Sequence, residues 1–519
     1  MTTRNNETKR HDARPNNLNR RNILLGSTTL AIAATLAAIL LAVPSQAQQP
    51  ADPHGWLGTE TVNTRFGNFE FKNGYPTAAA ADALLDQLKS NRAVEVYLTQ
   101  LPAVAIIDSR RGIRDFGAKR SNQIVIWENL MDAETLVLTA NTETVYGMGF
   151  LDLKGDGATV MEAPPGMLGA AMDTLQRFLV DIGPLGPDKG KGGKYLFLPP
   201  GYAGAVPTGY FVVKSPTYSV SYFLRGFKVD GKTDQAVALM KQIKVYPLPK
   251  KAGQPKMEFL NGSGKPIDTI HSDTIRFFEM LSQLVNEEPA EVFTPLERFY
   301  MQAIGIEKGK PFNPDAKAKT LLSEAARVAG AMARANSFAS HDPDTYYYKD
   351  RKWQFVGNVP YNFLKGGVLE VDRRAYVYYM AVGNSPAMMD KNVGVGSYYL
   401  WTYKDAAGGF LDGAQSYKLH IPANVPAKDF WSVLVYDSLS RSELKNGEPF
   451  PSVSKYSDPT INADGSVDVY FGPQTPAGQE KNWIKTVAGK GWFPIFRFYG
   501  PLQPLYDKSW VLSDIEKTN

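Results

Sequence analysis

Residues 218–227 set the tightest limit on what this chain can fold into. Tyr218, Val220, Tyr222 and Leu224 alternate with Ser219, Ser221, Phe223 and Arg225, and such a period of two belongs to a β-strand with one face buried. Short apolar, β-prone runs lie around it at 124–126, 136–138, 145–153, 195–198 and 209–213, with polar turns between them. Segments 167–180 and 234–243 read as short helices, but no strand-helix alternation of the parallel-sheet kind persists. The pattern predicts an antiparallel β-sandwich over residues 77–267. Helical segments 78–88 and 93–101 lead into it, with Thr77 as a cap and Pro102 as the interruption.

The middle of the chain changes character. Ser272 or Asp273 can cap a segment carrying Ile275, Phe278, Leu281 and Val285, and Thr294-Pro295-Leu296-Glu297 joins a capping box to a proline at the first helical position. Asn313-Pro314 opens an Ala-rich stretch running to Ala335, so residues 268–340 read as a small helical bundle. Strand patterns return at 374–382, 398–403, 417–421, 431–436, 467–471 and 492–499, with turns at 405–412 and 462–465. Six strands in this span fit a second sandwich or jelly roll over 341–519. The expected fold class is mainly β with a helical insert (α+β): two antiparallel β-sandwich or jelly-roll domains joined by a helical bundle.

The start of the chain speaks of destination. Arg4, Lys9, Arg10, Arg14, Arg20 and Arg21 against Glu7 and Asp12 place +4 of the formal +5 before residue 22. An uncharged Leu- and Ala-rich run over 22–43 follows, then Pro44-Ser45-Gln46-Ala47. This is the layout of a signal peptide cut after Ala47, and Arg20-Arg21 resembles a twin-arginine export signal. The expectation is a periplasmic or secreted protein. It would meet a membrane only if the leader stayed uncleaved as an anchor. Residues 48–76 read as a linker or arm.

A body carrying +1 lacks the basic footprint that phosphate backbones demand, so nucleic acid is not an expected partner. Absence of cysteine excludes disulfides, thiolate nucleophiles and Cys-bound metals. His54, His271, His341 and His420 are scattered without metal-binding spacing, so no metal site is expected and the cofactor is unknown. Gly383-Asn384-Ser385-Pro386-Ala387 has the outline of a nucleophile elbow but not its strand-to-helix setting on a parallel sheet. The Asp152–Gly157 stretch fails as a calcium loop because Lys154 occupies a ligand position.

Four longer segments carry a resemblance: Asn141-Thr142-Glu143-Thr144-Val145-Tyr146, residues 192–202, Arg441-Ser442-Glu443-Leu444 and Gly489-Lys490-Gly491-Trp492-Phe493. On these the chain resembles exported bacterial proteins that pair the twelve-fifty-four and twelve-fourteen domains, over most of residues 75–512. The resemblance implies two β-sandwich domains with a helical insert and supplies no settled reaction. Glu143 stands where that family usually has Asp, which keeps the charge and lengthens the reach.

What remains for chemistry are carboxylates, phenols and guanidinium groups. Asn141, Glu143, Thr144 and Tyr146 could present an amide, a carboxylate and a phenol to a ligand, although Glu143 falls on the opposite strand face from Thr144 and Tyr146. Further along, Trp492, Pro494, Phe496 and Phe498 form the better core face, leaving Phe493, Ile495, Arg497 and Tyr499 on the other. Arg497 there must reach water or an acid, and an ion pair of Asp437 with Arg497 or Arg441 is the plain expectation. The functional expectation is a small-organic-molecule enzyme, hydrolase- or lyase-like, or a binder, with its site between the sandwiches. Glu143 would be general base or acid, Tyr146 proton donor, and Arg441 or Arg497 the stabiliser of negative charge. Asn141, Thr144, Asp437 and Tyr499 would hold the ligand. The alternative is a non-enzymatic ligand-binding or assembly module of the envelope, with homo-oligomerisation left open.

Overall fold

The computed structural model describes residues 58–249, 253 and 255–518; the leader and the expected cut behind Ala47 lie outside them. The chain divides into two compact units, with the boundary between Thr77 and Ala78. The first contains, inside the stretch expected to be a linker, an antiparallel ribbon of β1 (Glu60–Thr64), β2 (Gly67–Lys72) and β3 (Tyr75–Pro76). Phe69 is the one buried residue of these three strands.

The second unit opens with α1 (Ala78–Phe116). There follow β4 (Gln123–Ile126), β5 (Thr135–Leu136), β6 (Thr144–Asp152), β7 (Thr159–Ala163), β8 (Leu168–Asp173), β9 (Phe178–Ile182), β10 (Gly193–Leu198), β11 (Phe211–Lys214) and β12 (Ser219–Phe227). Helix α2 (Asp234–Met240), β13 (Lys244–Pro247), β14 (Glu258–Asn261) and β15 (Ile267–Asp268) complete this region. Six strands pair in the order β14-β4-β6-β12-β8-β9 and four in the order β11-β10-β7-β13. Val145, Val220, Tyr222 and Leu224 from the first sheet share a core with Met161, Tyr195, Phe197 and Val213 from the second. The alternation in β12 therefore does what its period demands: one face closes this core and leaves Ser221, Phe223 and Arg225 to the other.

The 167–180 segment, expected as a helix, is β8 and β9. Its Leu, Ala and Met favour helix, but pairing with β12 on one side overrides that weak preference. Gly169 permits the pairing, because a Cβ there would lie 2.3 Å from the Phe223 carbonyl oxygen.

Helices α3 (Ile275–Glu287), α4 (Pro295–Ala303) and α5 (Ala316–Phe338) follow in the middle of the chain. The caps move by one or two residues: Thr274 and Asp315 serve α3 and α5, and Thr294 with Glu297 makes the capping box of α4. After a short hairpin, β16 (Leu364–Lys365) and β17 (Val368–Leu369), come α6 (Val371–Met380) and α7 (Pro386–Met389). Helices α3 to α6 all pack on α1. That explains why α1 is one helix of 39 residues rather than two segments, 78–88 and 93–101, stopped at Pro102. An interior proline costs about 3 kcal/mol, but residues 100–110 around it are all buried. The 374–382 segment, expected as a strand, is α6. Ala375 to Met380 are all buried, so no polar face remains to reveal the period, and the Tyr and Val content pointed to β.

The last region contains β18 (Ser397–Trp401), β19 (Ser416–Ile421), β20 (Ala427–Asp437), β21 (Ser452–Ser454), β22 (Val467–Gly472), β23 (Trp483–Lys485), β24 (Trp492–Pro501), α8 (Gln503–Tyr506) and β25 (Ile515–Thr518). They form sheets β18-β24-β20-β21 and β23-β22-β19-β25. Val433, Val435, Trp492, Phe496 and Phe498 of one share a core with Tyr417, Leu419, Val469 and Phe471 of the other. The described residues are thus mainly open β-sheets with eight α-helices, an α+β fold. Pairing is not purely antiparallel: β10/β11, β4/β14, β5/β15 and β22/β23 run parallel.

Candidate functional site

Directly opposed residues in neighbouring strands share a face, so register builds the walls of the site. On the six-stranded sheet one row is Met148 (β6), Phe223 (β12), Ala170 (β8) and Asp181 (β9). The next is Tyr146, Arg225 and Leu168. On the sheet containing β24, Tyr399 (β18), Arg497 (β24) and Ser432 (β20) form one row, and Trp401, Ile495 and Leu434 the next. Residues from these two faces, with the Met380–Met389 stretch, line a cavity of about 150 Å³. Met131, Met148, Met172, Met380, Met388 and Met389 make much of its surface, and thioethers adapt readily to irregular apolar ligands. A cavity of roughly this volume has room for a benzene-sized body.

Two cations enter this apolar space. Arg225 and Arg497 are 6% and 5% exposed. Arg497 Nη2 donates to the carbonyls of Thr139 (2.8 Å) and Ala140 (3.0 Å) and to the Tyr436 hydroxyl, while its Nε has no partner. Arg225 Nη1 donates to the Tyr399 hydroxyl at 3.4 Å, and its guanidinium lies 5.7 Å from the Tyr146 ring centre. Among the described residues neither guanidinium forms an ion pair with a carboxylate. Burial works against both charges, yet the surrounding phenol oxygens outweigh it and hold both groups above the ordinary arginine value. The expectation that Arg497 reaches water or pairs with Asp437 is therefore not met; backbone carbonyls and phenols take the acid's place.

Nearby acids are held back. Burial pushes Glu443 up to about 8, aided by Asp132 and Glu143 and opposed by Arg497, and neither of its carboxyl oxygens has a hydrogen-bond partner. At neutral pH it is mostly the uncharged acid. Burial also raises Asp181, to about 6, against the pull of the Ser385 hydroxyl, the Ala387 N–H and the Arg225 charge.

The residues singled out in the sequence scatter around this cavity. Tyr146 and Arg497 line it. Tyr499 lies buried behind, stacked on Phe430 at 4.0 Å, and accepts a hydrogen bond from the Asn141 amide at 2.6 Å; the same amide meets the Thr144 hydroxyl at 3.3 Å. Glu143 does not line the cavity: it accepts from Lys228 Nζ at 2.8 Å, Ser454 at 3.0 Å and Ser452 at 3.2 Å. Arg441, in a left-handed turn at φ 59°, points elsewhere, donating to the Tyr379 and Leu439 carbonyls and lying 3.3 Å from His271 Nε2. Asp437 pairs with Lys490 instead of an arginine. Arg225 and Tyr399 were not among the candidates. Their signal was present, since Arg225 interrupts the non-core face of β12 and Tyr399 falls in a predicted strand, but nothing in the sequence brings those faces together.

Two family models match the chain. The model described as "Protein of unknown function (DUF1254)" covers residues 121–247, and that described as "Protein of unknown function (DUF1214)" covers 396–503. The comparison with curated proteins found no match. Among solved structures, the VPA0106 protein from Vibrio parahaemolyticus is similar at 18% identity and a TM-score of 0.51, over 83% of this chain and 100% of that one. A Burkholderia cenocepacia protein aligns over 85% of this chain and 96% of its own at 14% identity and a TM-score of 0.38. The first likeness concerns the fold alone. No helix among the described residues is long and apolar enough to cross a membrane. Arg225 and Tyr146 fall within the first matched segment, Tyr399 and Arg497 within the second, and the chain is one that pairs a DUF1254 domain with a DUF1214 domain.

Proposed function

We propose that this protein takes up a small organic anion with an apolar body, the charged head on Arg225 and Arg497 and the body against the methionines. One observation carries the reading: two buried guanidiniums meet a single apolar cavity with phenols and carbonyls around them and no carboxylate paired to either. Buried charge is costly unless an opposite charge and hydrogen bonds compensate it, and carboxylates match the fork of a guanidinium. Arg497 keeps the role of stabilising negative charge and Tyr146 remains a wall of the site. Glu143, already committed to Lys228, serves as a clamp.

The test uses cyclohexanecarboxylate and its uncharged amide as probes in titration calorimetry. The acid is expected to bind at least about tenfold tighter than the amide, a difference of about 1.4 kcal/mol, and Arg225→Met is expected to erase the preference. Equal binding of acid and amide, or no binding of the acid, overturns the reading. Whether the anion is turned over, hydrolase- or lyase-like, or only carried decides between the enzyme and the binding module. Native mass spectrometry of protein from its host compartment separates them, because a retained anion that changes mass on incubation marks an enzyme.

The wider reading treats each pair of facing sheets as a β-sandwich domain, the second jelly-roll-like, joined by the helical bundle. It places the protein in the periplasm or outside the cell, cut behind Ala47. The basic stretch and apolar run before that residue support export, and the intact mass of the host-purified protein tests it.

A further inference from the structure

We propose that Tyr399 is the proton-exchanging residue of this cleft: its phenol gives up its proton more readily when the cleft is empty than when an organic anion settles on Arg225 and Arg497. The inference rests on the anion-binding reading above and names the group through which that site exchanges protons with its ligand.

The geometry selects this phenol among several. Tyr399 stands opposite Arg497 in the β18/β24 register, with the Arg497 guanidinium 5.3 Å from its ring centre. Its oxygen accepts from Arg225 Nη1, which reaches over from β12, and shares a short hydrogen bond with the Ser397 hydroxyl. One guanidinium and a hydroxyl thus meet the phenol oxygen at the cavity wall, and a second guanidinium lies over its ring. Other groups facing the region are Tyr146 from β6 and Tyr499 from β24, with Tyr436 of β20 behind Arg497 and Tyr376 of α6 on the same cavity. The acids are Asp181, one register row away and engaged by Ser385 and Ala387, and Glu443, mostly uncharged.

Two buried cations on one cavity leave an excess of positive charge in a low-dielectric interior, so the empty cleft favours an anion beside the arginines. Burial opposes ionisation of Tyr399, but the Arg225 and Arg497 charges and the Ser397 hydrogen bond outweigh it and bring this phenol below the ordinary tyrosine value. Burial drives Tyr499 and Tyr436 the other way. When a carboxylate arrives, its charge replaces that of the phenolate. A proton from solvent then forms the Tyr399 O–H bond, and no other bond changes. The ligand is left facing a phenol that can hand the proton on.

Binding coupled to uptake of one proton weakens as pH rises. Above the pH at which Tyr399 ionises in the empty protein, affinity for cyclohexanecarboxylate should fall about tenfold per pH unit. The experiment has two arms. Calorimetry of cyclohexanecarboxylate in two buffers of different ionisation enthalpy counts protons, and the wild-type minus Tyr399→Phe difference spectrum in the tyrosinate band reads the phenolate directly. At a pH where the empty protein shows the tyrosinate band, the expected results are close to one proton taken up, none in Tyr399→Phe, and a band at lower pH than the ordinary tyrosine range that shrinks as the acid is added. Binding without proton uptake, or equal uptake by Tyr399→Phe, overturns the proposal. If the acid does not bind, the anion-binding reading fails and the difference spectrum alone decides: a band upholds the charge assignment and its absence overturns it. Should Tyr399→Phe fail to fold, Ser397→Ala replaces it. Loss of the donor to the phenolate should then move the tyrosinate band to higher pH, and an unmoved band overturns the proposal.

Discussion

Two buried charge clusters lie close together in sequence and behave in opposite ways. Glu143, at the start of β6, faces Lys228 at 2.8 Å, and two serine hydroxyls donate to its remaining lone pairs. Three residues on, Tyr146 looks into a cleft where, among the described residues, neither of two guanidiniums is ion-paired to a carboxylate. The first cluster is electrically closed and joins β6 to β21; the second is open and wants an outside charge. Burial alone therefore does not mark a functional group. Incomplete neutralisation beside an empty volume does.

The largest effect should follow from opening the closed cluster. Lys228→Met leaves Glu143 buried without its cation and should destabilise the fold by about 3–5 kcal/mol, read by denaturant unfolding. A change below about 1 kcal/mol would mean that the clamp is no clamp. Next comes Glu443, whose folded value of about 8 lies above that of an exposed carboxyl. Between these values the folded chain binds the extra proton, so this residue makes stability fall as pH rises from the ordinary carboxylate range to about 8. Glu443→Gln should flatten that slope, with the variant gaining on the wild type by a few kcal/mol at the alkaline end in pH-dependent unfolding. An unchanged slope would place a charged acid next to Arg497 and close the open cluster. Ser454→Ala, which removes one donor to Glu143, should cost about 1–3 kcal/mol. The smallest effect on stability is expected from Arg225→Met, within about 1 kcal/mol of the wild type at a pH where Tyr399 keeps its proton, since burying a cation without a carboxylate contributes little or works against folding. Destabilisation by several kcal/mol would show that Arg225 already has its partner.

Legibility in the sequence followed the same division. The alternation in 218–227 and the two faces of 492–499 were readable because alternate residues differ in kind, and Val220, Tyr222 and Leu224, like Trp492, Phe496 and Phe498, close the expected cores, although the opposite face of 492–499 is buried too, with Phe493 and Ile495 in another core. Segment 374–382 was misread because burial on all sides erases the period. Segment 167–180 was misread because Ala, Leu and Met speak for helix until a neighbouring strand claims them. At the site, Arg497 drew notice as a charge on a mixed face, but its settlement by the Thr139 and Ala140 carbonyls depends on a loop far away in sequence. Arg225 and Tyr399 are 174 residues apart, and only the approach of two separate sheets makes them neighbours. Glu143 looked reactive for the reason that makes it inert: a carboxylate among polar residues is as easily paired as poised.

Strand β12 serves two masters with alternate side chains. Positions 220, 222 and 224 hold the interior of one half together, while 223 and 225 face the cavity. Substitutions at 223 and 225 would thus remake the cavity wall while leaving the 220, 222 and 224 face in place, whereas a slip of a single position would exchange the two faces and forfeit both at once.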